Sequence, residues 1–369
     1  MEPAVARQSK AAMKPRVFHM LPVVVLCLAA GCNAWPMLEP SAVKHPIEAI
    51  GGAGVIYTPP ASGELWTPAK LAAASPEELA YYYAPIYVQG HQVPGHGRFR
   101  WPVASDSIGQ PFLVRRSDGS LTTEVDVSRP TVYVITERRA LGTHEHVQLT
   151  YTLWFPEHPR TKALDIEAAH IDSGVVRITL DAQNAPLFYE TVLACGCYHK
   201  VFMESRVEAA AAQYFGPPQR KKEYAVERNV LGKIDWEVAG LVDTPVEQPT
   251  RPVLFTSAGE HRWVGLYSSA HLRLPDDGRY VVPYRLADYG ELQAVPVAGT
   301  GETGSIFNAA DDQQVFGADR LERFIFMWIG TDDAGHPRRN DQILLHFDQS
   351  SWSDPTIYHR YLRLPPGIL

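Results

Sequence analysis

The stretch HVQLTYTLWF at residues 146–155 constrains the fold more than any other part of the chain. Val147, Leu149, Tyr151, Leu153 and Phe155 alternate with His146, Gln148, Thr150, Thr152 and Trp154. A period of two puts one set on each side of an extended backbone. The expected element is a strand whose aliphatic and aromatic side rests on a core. Similar runs rich in β-branched and aromatic residues surround it: TVYVITERR, GVVRITLD and PLFYETVLACGCYH before residue 200, and RPVLFTSA, EHRWVGLYSS and GRYVVPYRL after residue 250. Helical signals are fewer. In SPEELAYYY, Ser75, Pro76 and Glu78 form a capping box with proline at the first helical position. MESRVEAAAAQYF runs into the stop GPP, and PTIYHRYLR near the end is a third helix. Thirty prolines and many short strands predict a mainly β protein, a β-sandwich or paired antiparallel sheets with a few peripheral helices.

The amino terminus speaks to location. Arg7, Lys10, Lys14 and Arg16 precede the apolar run VFHMLPVVVLCLAAG, which ends at Cys32. A basic region, a short apolar core and small residues before a cleavage point make a signal peptide. The ending LAAGC resembles the lipobox of bacterial lipoproteins, although the favoured Leu falls one place early, at Leu28. That resemblance implies acylation of Cys32 and an anchor in the lipid bilayer. Asn33 after the cysteine implies the outer membrane, facing the periplasm, with inner-membrane anchoring or secretion as alternatives. The expected organisation is a signal peptide at 1–31, a Pro/Gly/Ala-rich tether at 32–74 and one large β-rich domain at 75–369, with a subdivision near 215–250 left open. Residues 1–31 carry four basic residues and Glu2, so their removal takes the formal charge from −7 to −10. An acidic chain of this kind argues against nucleic acid as a partner. Protein partners are not indicated.

The chemistry centres on LACGCYHK, residues 193–200. Covalent haem attachment needs Cys-x-x-Cys-His, and CGCYH has the wrong spacing, so no haem is expected. Cys195 and Cys197 are the two thiols left after Cys27 and Cys32 depart or carry lipid. On a flat strand their Cα atoms lie about 6.8 Å apart. A disulfide prefers about 5.5–6 Å. A kink at Gly196 closes that gap, and an oxidising compartment favours the bond. Metal ligation is the second reading. Cys195, Cys197 and His199 share one face of an extended segment, and His144 and His146 have the same spacing on another strand. Thiolate with imidazole suits Zn or Cu. Asp165, Glu167, His170 and Asp172 in LDIEAAHID add oxygen and nitrogen ligands. The third reading is packing, since cysteine is among the most buried residue types. GTGETG at 299–304 fits a Gly-rich pattern but lacks the strand–turn–helix context, and no GxSxG or HExxH motif is present.

Two resemblances bear on these residues. YAPIYVQG, HVQLTYTLWFPEHP, HIDSGVVRITLD, ACGCYHKVF and LPDDGRYVVPYRLADYGEL together resemble an uncharacterised family of proteobacterial lipoproteins. More narrowly, the order TLWFP, HID, VVRITL and CGCYH resembles necrosis-inducing-like β-sandwich proteins. In that family acidic and His side chains hold a divalent metal in a central cavity. The sequence lacks that family's Asp-Trp-Glu block after the His, and Ser173-Gly174 stands there. Three function classes stay open. One is a membrane-anchored binding or envelope protein with a metal site. The others are a metal-dependent hydrolase using His144, His146, His199 and the 165–172 acids, and a thiol redox protein using Cys195 and Cys197.

Overall fold

The computed structural model describes residues 37–38, 45–60, 65–93, 98–193, 199–229, 237–245, 247–275, 278–309, 314–318, 320–321 and 357–369. The segment 1–31 expected to be a signal peptide, together with Cys32, Cys195 and Cys197, lies outside the described residues.

Two sheets face each other, as the alternating strands require. The smaller is built from β1 (Gly54–Thr58), β2 (Ile86–Gly90), β11 (Pro252–Thr256), β12 (Trp263–Ser268) and β13 (Val281–Pro283), in the order β12-β11-β2-β1-β13. The larger contains β5 (Thr131–Leu141), β6 (His144–Phe155), β7 (Asp172–Leu180), β8 (Pro186–Leu193), β9 (Lys200–Glu204), β10 (Glu237–Val242) and β14 (Arg285–Asp288), in the order β10-β9-β8-β7-β6-β5-β14. The hairpin β3 (Gln110–Arg115) with β4 (Leu121–Asp126) packs outside it. Strands β13 and β14 are separated only by Tyr284, where the chain crosses between sheets. Tyr284 N–H donates to Thr58 O of one sheet's edge, and Arg285 N–H donates to Pro130 O beside the other.

Between the sheets lies the main core. Leu149, Tyr151, Leu153 and Phe155 of β6 meet Tyr57, Tyr87, Leu254, Trp263 and Leu266. The other side of β6 is also covered, which its polar residues did not announce. His146, Gln148, Thr150, Thr152 and Trp154 are all buried. Helix α4 (Ser205–Phe215) and the carboxy-terminal α5 (Ile357–Tyr361) cover one part, and β3 with the segments around Tyr289 and Phe307 cover another. Polar groups tolerate this burial because they are bonded. Gln148 Nε2 donates to Thr179 Oγ1 at 3.0 Å and to Tyr358 Oη at 2.8 Å, and His146 Nδ1 bonds Leu180 O at 2.8 Å.

Two local readings carry over to the structure. Ser75 and Glu78 exchange both capping-box bonds at the start of α3 (Pro76–Tyr82). Helix α4 stops at Gly216, whose φ of +79° is a backbone conformation that glycine adopts without strain. It lies between the parallel neighbours β9 and β10, which belong to one sheet. The 32–74 tether is corrected in part. Within it, α1 (Pro46–Ala49), β1 and α2 (Pro68–Ala73) are folded. Strand β1 is central enough to pair with both β2 and β13. Composition suggested a linker because Pro and Gly flank this strand. The apolar core of the segment, Val55, Ile56 and Tyr57, was the outweighed signal, and all three are buried. Among the described residues no helix is long and apolar enough to cross a membrane.

Candidate metal centre

The end of β6 leads into FPEHP, and His158 forms an antiparallel bridge with Ala169. His158 N–H donates to Ala169 O at 2.9 Å, and the reverse bond is 3.1 Å. This clamp closes residues 159–168 into a loop that carries Asp165 and Glu167 back beside His158. Thr161 ties the loop internally: its backbone N–H and hydroxyl both donate to Asp165 Oδ2, at 2.9 and 3.0 Å. Strand β7 then begins at Asp172. From the opposite sheet, the β11–β12 hairpin contributes His261, a non-glycine residue with φ of +49°. Strain of this sort at a buried imidazole is a pointer to a site. The ring of His261 stacks on Phe155 with centroids 3.7 Å apart.

Asp172 organises the cluster. Its Oδ2 lies 3.1 Å from His158 Nδ1 and 2.9 Å from His261 Nδ1. Its Oδ1 accepts from Arg320 at 2.5 Å and from Ser173 N–H at 2.9 Å. Burial pushes the Asp172 carboxyl up, yet Arg320 and the two imidazoles outweigh it and hold the group well below the usual carboxylate range. An ionised carboxylate only accepts, so both Nδ1 atoms carry the proton. His158 Nε2 is then left as a buried atom with no hydrogen-bond partner. Its nearest acid is Glu167, with Oε2 at 3.9 Å.

His261 is different. Burial lowers its pKa, but bonds to Asp106 and Asp172 dominate and raise it to about 9. It is an imidazolium at neutral pH, with Nδ1 on Asp172 and Nε2 3.4 Å from Asp106 Oδ1. Asp106 is itself held by Gly259 N–H at 2.6 Å and Trp101 Nε1 at 2.8 Å. Gly259 has φ of +71°, and a Cβ there would fall 2.6 Å from Trp101, so glycine is required at this turn.

Two sets of ligand atoms lie within 4.8 Å of one another among the described residues: His158 with Asp172 and His261, and His158 with Asp165 and Glu167. The second set fits an ion better. In the first, both nitrogens facing Asp172 carry protons and His261 holds a positive charge. In the second, the unpartnered Nε2 of His158 and two carboxyl groups converge, and Asp172 fixes the histidine from behind, as carboxylates do behind metal-bound imidazoles. Bonds of about 2.0–2.4 Å place ligand atoms up to about 4.8 Å apart across an ion. Imidazole with two carboxylates suits Zn²⁺ or Mn²⁺. The opposing fact is the local cations. Arg262 Nη2 is 3.5 Å from Glu167 Oε2, and Lys162 Nζ is 4.0 Å from Asp165 Oδ1 and 3.9 Å from Glu167 Oε2. Lys162 is 43% exposed at its side chain and can swing outward, whereas Arg262 is buried and stays beside Glu167, so a divalent ion displaces the lysine and shares Glu167 with a fixed guanidinium.

The sequence-derived ligands are therefore divided. Asp165, Glu167 and Asp172 come together. His170 points elsewhere, 3.1 Å from Glu124 Oε1 and partly exposed. His144 is exposed at the start of β6. His146 and His199 lie on the same face of the large sheet but do not meet. The register aligns His199 with the row of Thr152, six residues and about 20 Å along the strands from His146. His199 Nε2 instead bonds Glu190 Oε1 at 3.0 Å, in a buried network where Arg177 and Tyr358 Oη also bond Glu190. Spacing showed that both histidines faced the same way but carried no register information. Sequence reading missed His158, His261, Asp106 and Arg320. The signal for His158 was FPEHP just past a strand end, and for His261 it was GEHRW at a hairpin, both weak because one histidine in a turn is ordinary. No family model, curated protein or solved structure matched this chain.

Proposed function

We propose that this chain is a cell-envelope lipoprotein, acylated at Cys32, whose β-sandwich binds one divalent cation through His158, Asp165 and Glu167. The observation that carries the metal reading is the buried, unpartnered His158 Nε2 facing two carboxylates. A buried nitrogen left unsatisfied costs about 1–3 kcal/mol, and a bound ion removes that cost. The ligand residues are buried, which fits a closed site whose ion fastens the 158–169 loop to the sandwich. A binding or envelope-maintenance role follows from this more readily than turnover. A metal-dependent hydrolase is the second reading, favoured by the imidazolium His261 beside the site, with ring centroids 6.1 Å from His158. The lipid anchor rests on the basic segment and LAAGC at the amino terminus.

The test is elemental analysis of protein expressed in metal-replete medium and purified without chelator. About one equivalent of Zn or Mn is expected in wild type and in His199→Ala, and none in His158→Ala or Glu167→Gln. A metal-free wild type that also takes up no Zn²⁺ or Mn²⁺ on titration sinks the metal reading. Incorporation of labelled palmitate into wild type and not into Cys32→Ser tests the anchor separately.

A further inference from the structure

Away from the metal centre, at the end of the sandwich, lies a cleft of about 370 Å³. Its size falls in the range of small-molecule sites. Pro68 and Leu71 of α2 form one wall, and Pro186 and Pro249 extend the apolar lining. At its polar end sits Glu204, the last residue of β9 and the cap position of α4. Glu204 is 3% exposed. Its Oε1 accepts from Tyr189 Oη and from Thr244 Oγ1, both at 2.7 Å. Its Oε2 receives only Thr244 N–H, at 3.4 Å, and so keeps acceptor capacity.

Among the described residues this carboxyl forms no ion pair. The one cationic residue among the described lining, Arg206, gives its guanidinium to Asp181 Oδ2 at 2.8 Å and Pro186 O at 2.6 Å and acts on Glu204 only at a distance. With Arg206 matched to Asp181, the lining is left with the charges of Glu204 and Glu247. The amino end of α4 contributes about half a positive charge, too little to offset two carboxylates. An apolar chamber ending in an uncompensated carboxyl is complementary to a small organic cation with an apolar body.

We propose that this cleft binds a protonated primary amine carried on an apolar group, with Glu204 Oε2 accepting from the ammonium and Pro68, Leu71 and Pro249 packing on the apolar part. The groups that face Glu204 are Tyr189 from β8, Thr244 from the loop after β10, Arg206 from α4 and, further off, Tyr83. Glu204 titrates near pH 7, pushed up by burial, so the ammonium binds its ionised form and competes with the proton.

Benzylamine and its neutral counterpart benzyl alcohol test the inference, titrated into the purified mature protein and followed by calorimetry and by amide shifts in NMR. Benzylamine is expected to bind at pH 8 with a Kd of about 1 mM, in line with a ligand of that size. Binding should weaken about tenfold at pH 5.5 and in Glu204→Gln, and benzyl alcohol should bind at least about tenfold more weakly than the amine. Ala185→Phe, which adds bulk to the cleft and replaces none of its charged side chains, should abolish binding. Equal affinity for amine and alcohol, unchanged affinity in Glu204→Gln, undiminished binding in Ala185→Phe, or no saturation by 20 mM (about twentyfold above the expected Kd) each overturns it. Glu204→Gln keeps the side chain's shape, and a native circular dichroism spectrum of each variant makes a loss of binding readable.

Discussion

Replacing Glu204 by Gln should make the protein more stable at alkaline pH and leave its stability in acid little changed. Glu204 is the buried acid whose environment most favours the neutral form. Burial raises its pKa from 4.5 to about 7, against the lowering effect of the Thr244 and Tyr189 hydroxyls, the Thr244 amide and Arg206. A raised acid binds its proton more tightly in the folded than in the unfolded chain. Its contribution is therefore fully present below about pH 4.5 and is lost as pH rises through about 7. The gap between the two pKa values corresponds to about 3 kcal/mol at about 1.4 kcal/mol per unit. Between pH 5 and pH 8 about 2–3 kcal/mol of that should be seen. The glutamine amide in the variant cannot ionise and has no such pH dependence. Urea unfolding of wild type and Glu204→Gln at pH 5, 6, 7 and 8 gives the difference at each pH, in which every other titrating group cancels. That difference should grow steadily in favour of the variant. A constant difference, within about 0.5 kcal/mol, would mean that Glu204 titrates alike folded and unfolded, and that the carboxyl has a compensating charge the geometry does not show.

Other perturbations read different parts of the molecule. Leu149→Ala empties a fully buried position between the sheets and should cost about 2–5 kcal/mol in urea unfolding; a negligible cost would put that face of β6 outside the core. Gly174→Ala places a Cβ 2.6 Å from the Trp263 ring and should destabilise by about 1–3 kcal/mol, unless the indole can move, in which case its fluorescence should shift instead. Lys162→Met removes the mobile cation over Asp165 and Glu167 and should tighten Zn²⁺ or Mn²⁺ binding several-fold, whereas unchanged affinity would place the ion elsewhere. Asp172→Asn, by releasing the orientation of His158, should weaken metal binding about 10–100-fold while leaving the ligands themselves in place.

The fold was legible where local pattern and long-range packing agree. Strand β6 is the clearest case, because its odd-numbered residues do face the other sheet. Its even-numbered residues lie on the other side, as the alternation requires, and are buried under α4, α5 and the outer segments. Periodicity reports how residues divide between faces and is silent on how many layers will cover them. Strand β1 shows the converse limit: three apolar residues amid Pro and Gly are a faint signal locally, and only pairing with β2 and β13 gives them structural weight. At the metal centre, the oxygen ligands were legible because they crowd into LDIEAAHID, within one short loop. His158, only seven residues before Asp165, was not, because a histidine in a Pro-flanked turn is ordinary, and His261 was not because it lies about a hundred residues away and arrives only through the packing of one sheet on the other.

That meeting depends on Gly174, which ties the sequence to the site. Strand β7 begins at Asp172, and its third residue lies under the five-stranded sheet, where Trp263 rests in the space a side chain would fill. Trp263 Nε1 donates to Val192 O at 3.2 Å, which fixes the start of β12 against β8. Two residues before Trp263 is His261, so the same contact that seats the tryptophan holds the β11–β12 turn over Asp172. The lack of a side chain at Gly174 permits the close approach of the opposite sheet, which delivers His261 as an imidazolium between Asp106 and Asp172. A buried positive charge there satisfies Asp172 without an ion, and it leaves the unpartnered His158 Nε2 facing Asp165 and Glu167 on the loop side. Gly174→Ala should therefore disturb more than packing. If the tryptophan contact positions the turn, the variant should also lower the pKa of His261 from about 9 toward 6.5, visible in the pH dependence of its imidazole NMR signals. A variant that is destabilised yet titrates His261 as wild type does would separate the two and show that the turn is held by Asp106 and Asp172 alone.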